Sequence, residues 1–154
     1  MFASVAGVSR RSFFVAAMLI AAASFATADP VNRSRAGLAL DGYDPVAYFT
    51  DGQAVRGSAA FAHVHEGTTY RFASAAHREA FAADPTRYLP QYGGFCAWAV
   101  SRGYTAPTDP LAWRIVDGRL FLNYSRSVQR TWEQDASGNI RKGDTNWPGL
   151  RHKP

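Results

Sequence analysis

An Asp-Gly pair set between two β-rich runs constrains the fold of this chain more than any other feature. Asp117 and Gly118 separate the runs 113–116 and 120–124. Asp-Gly in that setting is typical of the tight type I′ turn that joins two antiparallel strands. A similar pattern surrounds Gly67 earlier in the chain. The sequence therefore predicts two β-hairpins.

A serine follows each predicted hairpin at the position where a helix can begin. Ser74 is a good N-cap for a helix over 75–83, and Ser125 for a last helix that ends near Gln134. A serine side chain in this position accepts a hydrogen bond from an unpaired N–H group of the first helical turn. Two hairpins that alternate with short helices predict a small single domain of the α+β class, with the helices packed on the hairpins.

The first 28 residues have the composition of a cleaved export signal. Arg10 and Arg11 form a twin-arginine pattern, and residues 15–23 are apolar but too few to span a bilayer. The small residues that end at Ala28 fit a cleavage site. The sequence therefore predicts a signal peptide over 1–28, of the twin-arginine type, and a periplasmic or secreted protein. The alternative is an uncleaved membrane anchor, which the cleavage site disfavours.

The rest of the chain divides into a leader, one domain and a tail. Residues 29–37 are polar and predicted to be a flexible leader, 38–148 form the domain, and 149–154 form a C-terminal tail. The segment 137–154 follows the helix predicted to be the last, and it is polar, with Trp147 as its anchor. We identify no sequence repeat after the signal.

The charge balance of the exported part excludes some partner classes. Removing Arg10 and Arg11 with the signal leaves 15 basic and 12 acidic residues, a net charge of +3. These charges are scattered, without the basic run or stripe that nucleic-acid binding requires. No later segment is long and apolar enough to span a membrane. We therefore expect neither a nucleic-acid partner nor a stable membrane span after the signal is removed.

Cys96 is the only cysteine and the first candidate functional residue. Gly93 and Gly94 precede it and allow backbone conformations closed to other residues. The following sequence predicts a short helix over 95–102, with Cys96 in its first turn. Free N–H groups and the helix dipole there favour a thiolate, either as a nucleophile or as a metal ligand. The alternative is a small buried apolar side chain, which is common for a free cysteine.

Two further groups of side chains are candidate ligands or pocket residues. His63 and His65 are two residues apart, so on a strand they share one face and could bind copper or zinc. An exposed strand face without further ligands is the favoured interpretation. Asp41, Tyr43 and Asp44 could line a pocket, although turn-forming aspartates and a packed tyrosine are favoured. The sequence contains no Ser–His–Asp signature, phosphate loop or zinc-finger spacing.

Several motifs, taken in order, resemble those of the exported YHS-domain proteins of bacteria. The resemblance covers nearly the whole chain after the signal. The motifs are LDGYDPVAYF at 40–49, YRFASAAHREAF at 70–81, YLPQYGGFCA at 88–97, IVDG at 115–118 with LNY at 122–124, and NWP at 146–148.

The resemblance has two implications for the site. Short YHS modules are thought to bind metal through cysteines, but the two matching positions are Ala47 and Ala73 here, and only His77 is a ligand type. The exported branch instead has a cysteine in a Gly-Gly-aromatic-Cys motif, and some members carry selenocysteine there. Cys96 matches that position. The resemblance therefore implies that Cys96 does chemistry or binds a soft metal.

Three functions are compatible with these residues. The leading hypothesis is soft-metal handling, copper being the best match to a Cys96 thiolate with His77 as possible second ligand. The second is thiol redox catalysis, in which Cys96 attacks a peroxide or a disulfide and an external thiol resets it. The third is a non-catalytic accessory module that binds a periplasmic protein partner through its aromatic surface.

Overall fold

The structure is a computed structural model that describes residues 29–153. The predicted signal peptide over 1–28 lies outside the described residues. The strands of the domain form two antiparallel two-stranded sheets. In the first, β1 (Ser58–His65) pairs with β2 (Thr68–Phe72), and in the second, β3 (Asp109–Val116) pairs with β4 (Arg119–Asn123). The two predicted hairpins and the α+β class are confirmed.

Both hairpins close with the same kind of turn. The central residues Glu66 and Gly67 have φ of 47° and 76°, and Asp117 and Gly118 have φ of 50° and 72°. Positive φ at both central residues is what a type I′ turn requires, and glycine adopts it without steric cost. The turn residues thus set the register, with His65 opposite Thr68 at the first turn.

Six short helices and two 3-10 turns complete the described chain. The serine caps are as predicted, since Ser74 Oγ accepts from His77 N at 3.1 Å and Ser125 Oγ accepts from Val128 N at 3.2 Å. The 3-10 turns are Leu40–Gly42 and Gln91–Gly94, and the helices are α1 (Ala47–Thr50), α2 (Ala75–Ala83), α3 (Pro85–Tyr88), α4 (Ala97–Ser101), α5 (Arg126–Glu133) and α6 (Ala136–Leu150). None of the helices within 29–153 is long and apolar enough to cross a membrane.

The domain contains two copies of one structural unit, which we call the first unit (residues 40–83) and the second unit (residues 92–133). Each begins with three consecutive residues of positive φ, then has a one-turn helix, a hairpin and a serine-capped helix. The three positive-φ residues are Leu40, Asp41 and Gly42 in the first unit, and Tyr92, Gly93 and Gly94, 52 positions later, in the second.

Side-chain packing repeats with the backbone. The ring of Tyr70 lies 4.9 Å from that of Phe81, tilted by 33°. The rings 51 positions later, Phe121 and Trp132, lie 5.2 Å apart, tilted by 37°. The sequence analysis missed this duplication because the corresponding residues share size and backbone conformation rather than identity.

Three hydrophobic clusters stabilise the two units and join them to each other. Each unit has its own core, centred on Phe72 and Phe81 in the first and on Phe121 and Trp132 in the second. A third cluster joins the units and includes Leu40 and Tyr48 of the first with Leu120 and Leu122 of β4. The Tyr48 hydroxyl also donates to the carbonyl oxygen of Pro110 at 2.9 Å. The two units therefore form one packed domain.

Helix α6 contradicts the prediction that the helix capped by Ser125 is the last, since it occupies most of the polar segment 137–154. Its sequence contains three glycines and Pro148, which disfavour an isolated helix. Tertiary contacts favour it instead. Asn146 Nδ2 donates to the carbonyl oxygens of Val100 and Ser101 at 3.0 and 3.2 Å, and so caps the end of α4. Trp147 is an anchor as expected, with its ring 6.0 Å from that of Tyr92.

Candidate functional site

Cys96 is buried, with 1% of its surface exposed, and it precedes α4 rather than lying within it. The predicted helix over 95–102 is in fact Ala97–Ser101, because the chain is extended at Phe95 and turns into the helix only after Cys96. The glycine pair has the predicted role, with φ of 61° at Gly93 and 79° at Gly94. A five-residue helix has only a small dipole, so the helix itself contributes little to the chemistry of the sulfur.

The sulfur of Cys96 has two polar neighbours. It accepts a hydrogen bond from the backbone N–H of Tyr124 at 3.3 Å. The thiol in turn can donate to Oδ1 of Asn123, 3.7 Å away. That oxygen also accepts from the backbone N–H of Trp98 at 3.1 Å. Cys96 is therefore part of a polar network and not simply a small apolar side chain in the core.

Asn123 is the polar residue that holds this network, and the sequence analysis missed it. It is fully buried at the end of β4. Its amide nitrogen has no hydrogen-bond partner among the described residues. Because an unpaired buried amide is costly, we count Asn123 among the candidate site residues beside the thiol. A polar residue late in a strand was the only sequence signal, and β propensity alone does not predict what it contacts.

The residue of the first unit that corresponds to Cys96 is Asp44, 52 positions earlier in the chain. Its Oδ2 accepts from the backbone N–H of Ala73 at 2.8 Å, and Ala73 corresponds to Tyr124 at a spacing of 51 residues. Its own N–H donates to Val55 at 2.8 Å, as that of Cys96 donates to Ala106 at 2.9 Å. The sulfur of the second unit thus occupies the place of a carboxylate oxygen in the first.

Asp44 and His77 form a second polar cluster, in the first unit. Asp44 is fully buried, and its Oδ2 lies 2.6 Å from Nδ1 of His77. The same carboxylate accepts from the backbone N–H groups of Val46 and Ala47 at 2.8 and 3.2 Å. Although the sequence analysis favoured a turn-forming role for Asp44, the structure gives it a second role, because it fixes the orientation of the imidazole.

The other ring nitrogen of His77 faces the surface. Its Nε2 lies 3.3 Å from Oγ1 of Thr50 and 3.9 Å from Oδ1 of Asp51. The Thr50 hydroxyl also lies within hydrogen-bond distance of the Val46 carbonyl oxygen at 3.2 Å and of Asp51 Oδ1 at 2.9 Å. Because it has a single proton, it can donate to only one of these acceptors at a time. A carboxylate that holds Nδ1 is common for metal-ligating histidines, but a metal ion at Nε2 of His77 would have to displace the Thr50 hydroxyl.

The structure does not link the predicted site residues to one another. No hydrogen bond or ion pair within 29–153 connects Cys96 with His77, and their polar neighbours belong to different units. His63 and His65 do share a face of β1, but the expectation of an exposed face is wrong, because both side chains are half-buried with their rings 5.9 Å from that of Phe81. Across the part of the chain that the structure describes, no group of three or more His, Cys, Asp or Glu side chains is arranged to hold a metal ion.

Comparison with known proteins adds no assignment: no protein-family model, no curated protein and no solved structure matches the chain.

Proposed function

We propose that this is an exported thiol protein and that its functional group is Cys96, which acts in redox chemistry. The observation that carries the proposal is the correspondence between the two units. The backbone N–H that serves the Asp44 carboxylate in the first unit has its counterpart in Tyr124 N–H, which is directed at the Cys96 sulfur. Such a donor suits a sulfur that carries negative charge, and the thiolate is the reactive form of cysteine.

The proposed reaction is a peroxide reduction that uses a single cysteine. Cys96 thiolate attacks one oxygen of a peroxide, the O–O bond breaks, and cysteine sulfenic acid and a hydroxide or alkoxide form. An external thiol then condenses with the sulfenic acid, which releases water and leaves a mixed disulfide. A second external thiol attacks the external sulfur of that disulfide, which releases the Cys96 thiolate and the disulfide of the two external thiols. The external reductant is needed because the chain has one cysteine.

Burial of Cys96 adds a requirement to this proposal. At 1% exposure, the sulfur meets a reactant only when the chain opens locally. The neighbouring stretch is suited to opening, since residues 102–105 are exposed and residues 104–108 have no regular structure. Ala106 in this stretch accepts the Cys96 N–H at 2.9 Å. We therefore expect reaction with small oxidants to be faster than alkylation by bulky reagents.

The experiment measures trapping of sulfenic acid at Cys96 in the folded protein. With a single cysteine, any dimedone adduct after treatment with hydrogen peroxide reports on this residue alone. We expect an adduct in the native protein and none in Cys96→Ser. Cys96→Asp, which places a carboxylate where the first unit has one, should fold without reacting. The proposal fails if the thiol reacts with peroxide only after denaturation.

Copper handling is a second candidate function, favoured by the orientation of His77. The imidazole is held by Asp44 through Nδ1 at 2.6 Å and presents Nε2 toward the surface, and copper accepts imidazole and thiolate ligands. Titration with Cu(I) and Cu(II) tests this function. His77→Gln should lower the copper stoichiometry if His77 is a ligand, and Cys96→Ser should lower it if the thiolate is. Unchanged stoichiometry in both variants would contradict copper handling at these residues.

A further inference from the structure

A cleft of about 340 Å³ lies where the two units meet α6. The tip of the first hairpin, the segment around Leu89, the start of β4 and the end of α6 all contribute to its walls, as do residues 29–31. Leu89 and Trp147 supply apolar surface, while Glu66, Tyr70 and Arg119 supply polar groups. A mixed cleft of this size with a few convergent polar groups has the character of a small-molecule site.

The hydroxyl group of Tyr70 is unpaired in this cleft. Tyr70 is 2% exposed, and its hydroxyl makes no hydrogen bond within residues 29–153. The corresponding residue of the second unit is Phe121, which packs on Trp132 as Tyr70 packs on Phe81. Packing of the unit therefore does not need the hydroxyl. Tyr70 lines the cleft, and a hydroxyl there without a partner among the described residues is available to a ligand.

Two charged side chains act on Tyr70, Glu66 and Arg33, and only Glu66 lines the cleft, which favours a positive ligand. Burial, and then the nearby Glu66 carboxylate, raises the pKa of Tyr70 to about 12, so the phenol stays neutral at physiological pH. The Glu66 carboxylate forms no ion pair within the described part of the chain. The hairpin tip thus places a carboxylate beside a neutral hydroxyl oxygen, although the Arg33 charge acts on the same phenol in the opposite sense.

The guanidinium of Arg119, which lines the cleft, is already paired with protein groups. Arg119 donates from Nε and Nη2 to Oε1 of Gln91 at 3.0 and 2.8 Å, and from Nη1 and Nη2 to the carboxylate of Asp144 at 3.0 and 2.6 Å. Asp144 also accepts from the Tyr92 hydroxyl at 2.9 Å. The Arg119 guanidinium lowers the pKa of Asp144, so the pair stays charged and internally neutralised. Among the described residues that line the cleft, Arg119 is the only arginine or lysine, so an anionic ligand would have to compete with Asp144 for it.

We propose that this cleft binds a small organic cation with an apolar body. Its ammonium group would donate to the Glu66 carboxylate and to the Tyr70 hydroxyl oxygen, and its apolar part would lie against Trp147 and Leu89. This site is separate from the Cys96 proposal, since Cys96 is not among the residues that line the cleft.

Three probes with the same ring and different charge test the proposal: 2-phenylethylamine, 2-phenylethanol and 3-phenylpropionate, each titrated into the purified protein and followed by NMR. We expect the amine to bind at least roughly tenfold more tightly than the other two, the ratio that a charge-assisted hydrogen bond supplies. Glu66→Gln should weaken the amine by a similar factor, and Tyr70→Phe by about three- to tenfold. Glu79→Gln, an exposed charge change on α2, should leave binding unchanged.

Each other outcome overturns the proposal. Equal binding of the three probes, or no binding of the amine, removes the cation specificity. Full amine affinity in both Glu66→Gln and Tyr70→Phe removes the assigned contacts. Phe121 at the equivalent position of the second unit indicates that Tyr70→Phe will fold. If Tyr70→Phe does not fold, the amine affinity of Glu66→Gln alone tests the assigned contacts. Cys96→Ser should bind the amine normally, so failure of the redox proposal and failure of this one are distinguishable.

Discussion

At the scale of single residues, the region before Cys96 depends on Gly93, which adopts a positive φ and lets the segment at Pro30 approach closely. Gly93 has φ of 61°, and a Cβ atom there would collide with the carbonyl oxygen of Pro30. The same approach allows Asn32 N–H to donate to the Gly93 carbonyl at 2.8 Å. Residues 29–37, predicted to be a flexible leader, thus make specific contacts at their start with the segment that leads to Cys96.

Gly93→Ala should destabilise the protein more than Gly103→Ala does. Both glycines have positive φ, but a Cβ at Gly103 would meet no atom within 4 Å. Gly103→Ala therefore measures conformational strain alone, about 1 kcal/mol. Gly93→Ala adds a steric clash, typically about 1–3 kcal/mol more. Urea unfolding of the two variants checks this, and equal free energies of unfolding would contradict the close contact with Pro30.

At the scale of elements, α6 is held by side chains that reach other elements. Asn146→Ala should lower the free energy of unfolding by about 1–2 kcal/mol, because two carbonyl oxygens at the end of α4 lose their donor. Thr145→Ala is the matched control, since Thr145 is exposed and its hydroxyl bonds only to Arg141 within its own helix. Thermal unfolding followed by circular dichroism compares them. A loss no larger than that of the control would show that the cap is not needed.

The contrast between α6 and the hairpins shows what the sequence can predict. Asp117-Gly118 and the serines at 74 and 125 act locally, through φ preference and a hydrogen bond three residues away, so pattern analysis found them. Helix α6 lacks local preference and forms through contacts with α4 and Tyr92. Likewise, residue type singled out Cys96 and the family resemblance singled out His77. The Cys96–Asn123 and Asp44–His77 contacts instead join residues far apart in the chain, which periodicity does not reveal.

At the scale of the whole molecule, the third cluster makes the two units one cooperative structure. Leu122 is 1% exposed in that cluster, and Leu122→Ala should cost about 2–5 kcal/mol. We expect hydrogen exchange to accelerate in both hairpins, including β1 and β2, which do not contain the substitution. Leu111→Ala, on the exposed side of β3, should leave β1 and β2 unchanged. Faster exchange confined to β3 and β4 would indicate that the units unfold independently.

The correspondence between Cys96 and Asp44 also bears on damage by excess oxidant. A cysteine oxidised twice becomes a sulfinic acid, a negatively charged group with two oxygens and nearly the shape of an aspartate side chain, and this change is normally irreversible. In most buried positions it would disrupt packing. Here the backbone already accommodates a carboxylate at the matching place in the first unit, where Ala73 N–H lies 2.8 Å from Oδ2. We therefore expect the hyperoxidised protein to keep its melting temperature while it loses its reactivity, so that inactivation by peroxide leaves a folded protein.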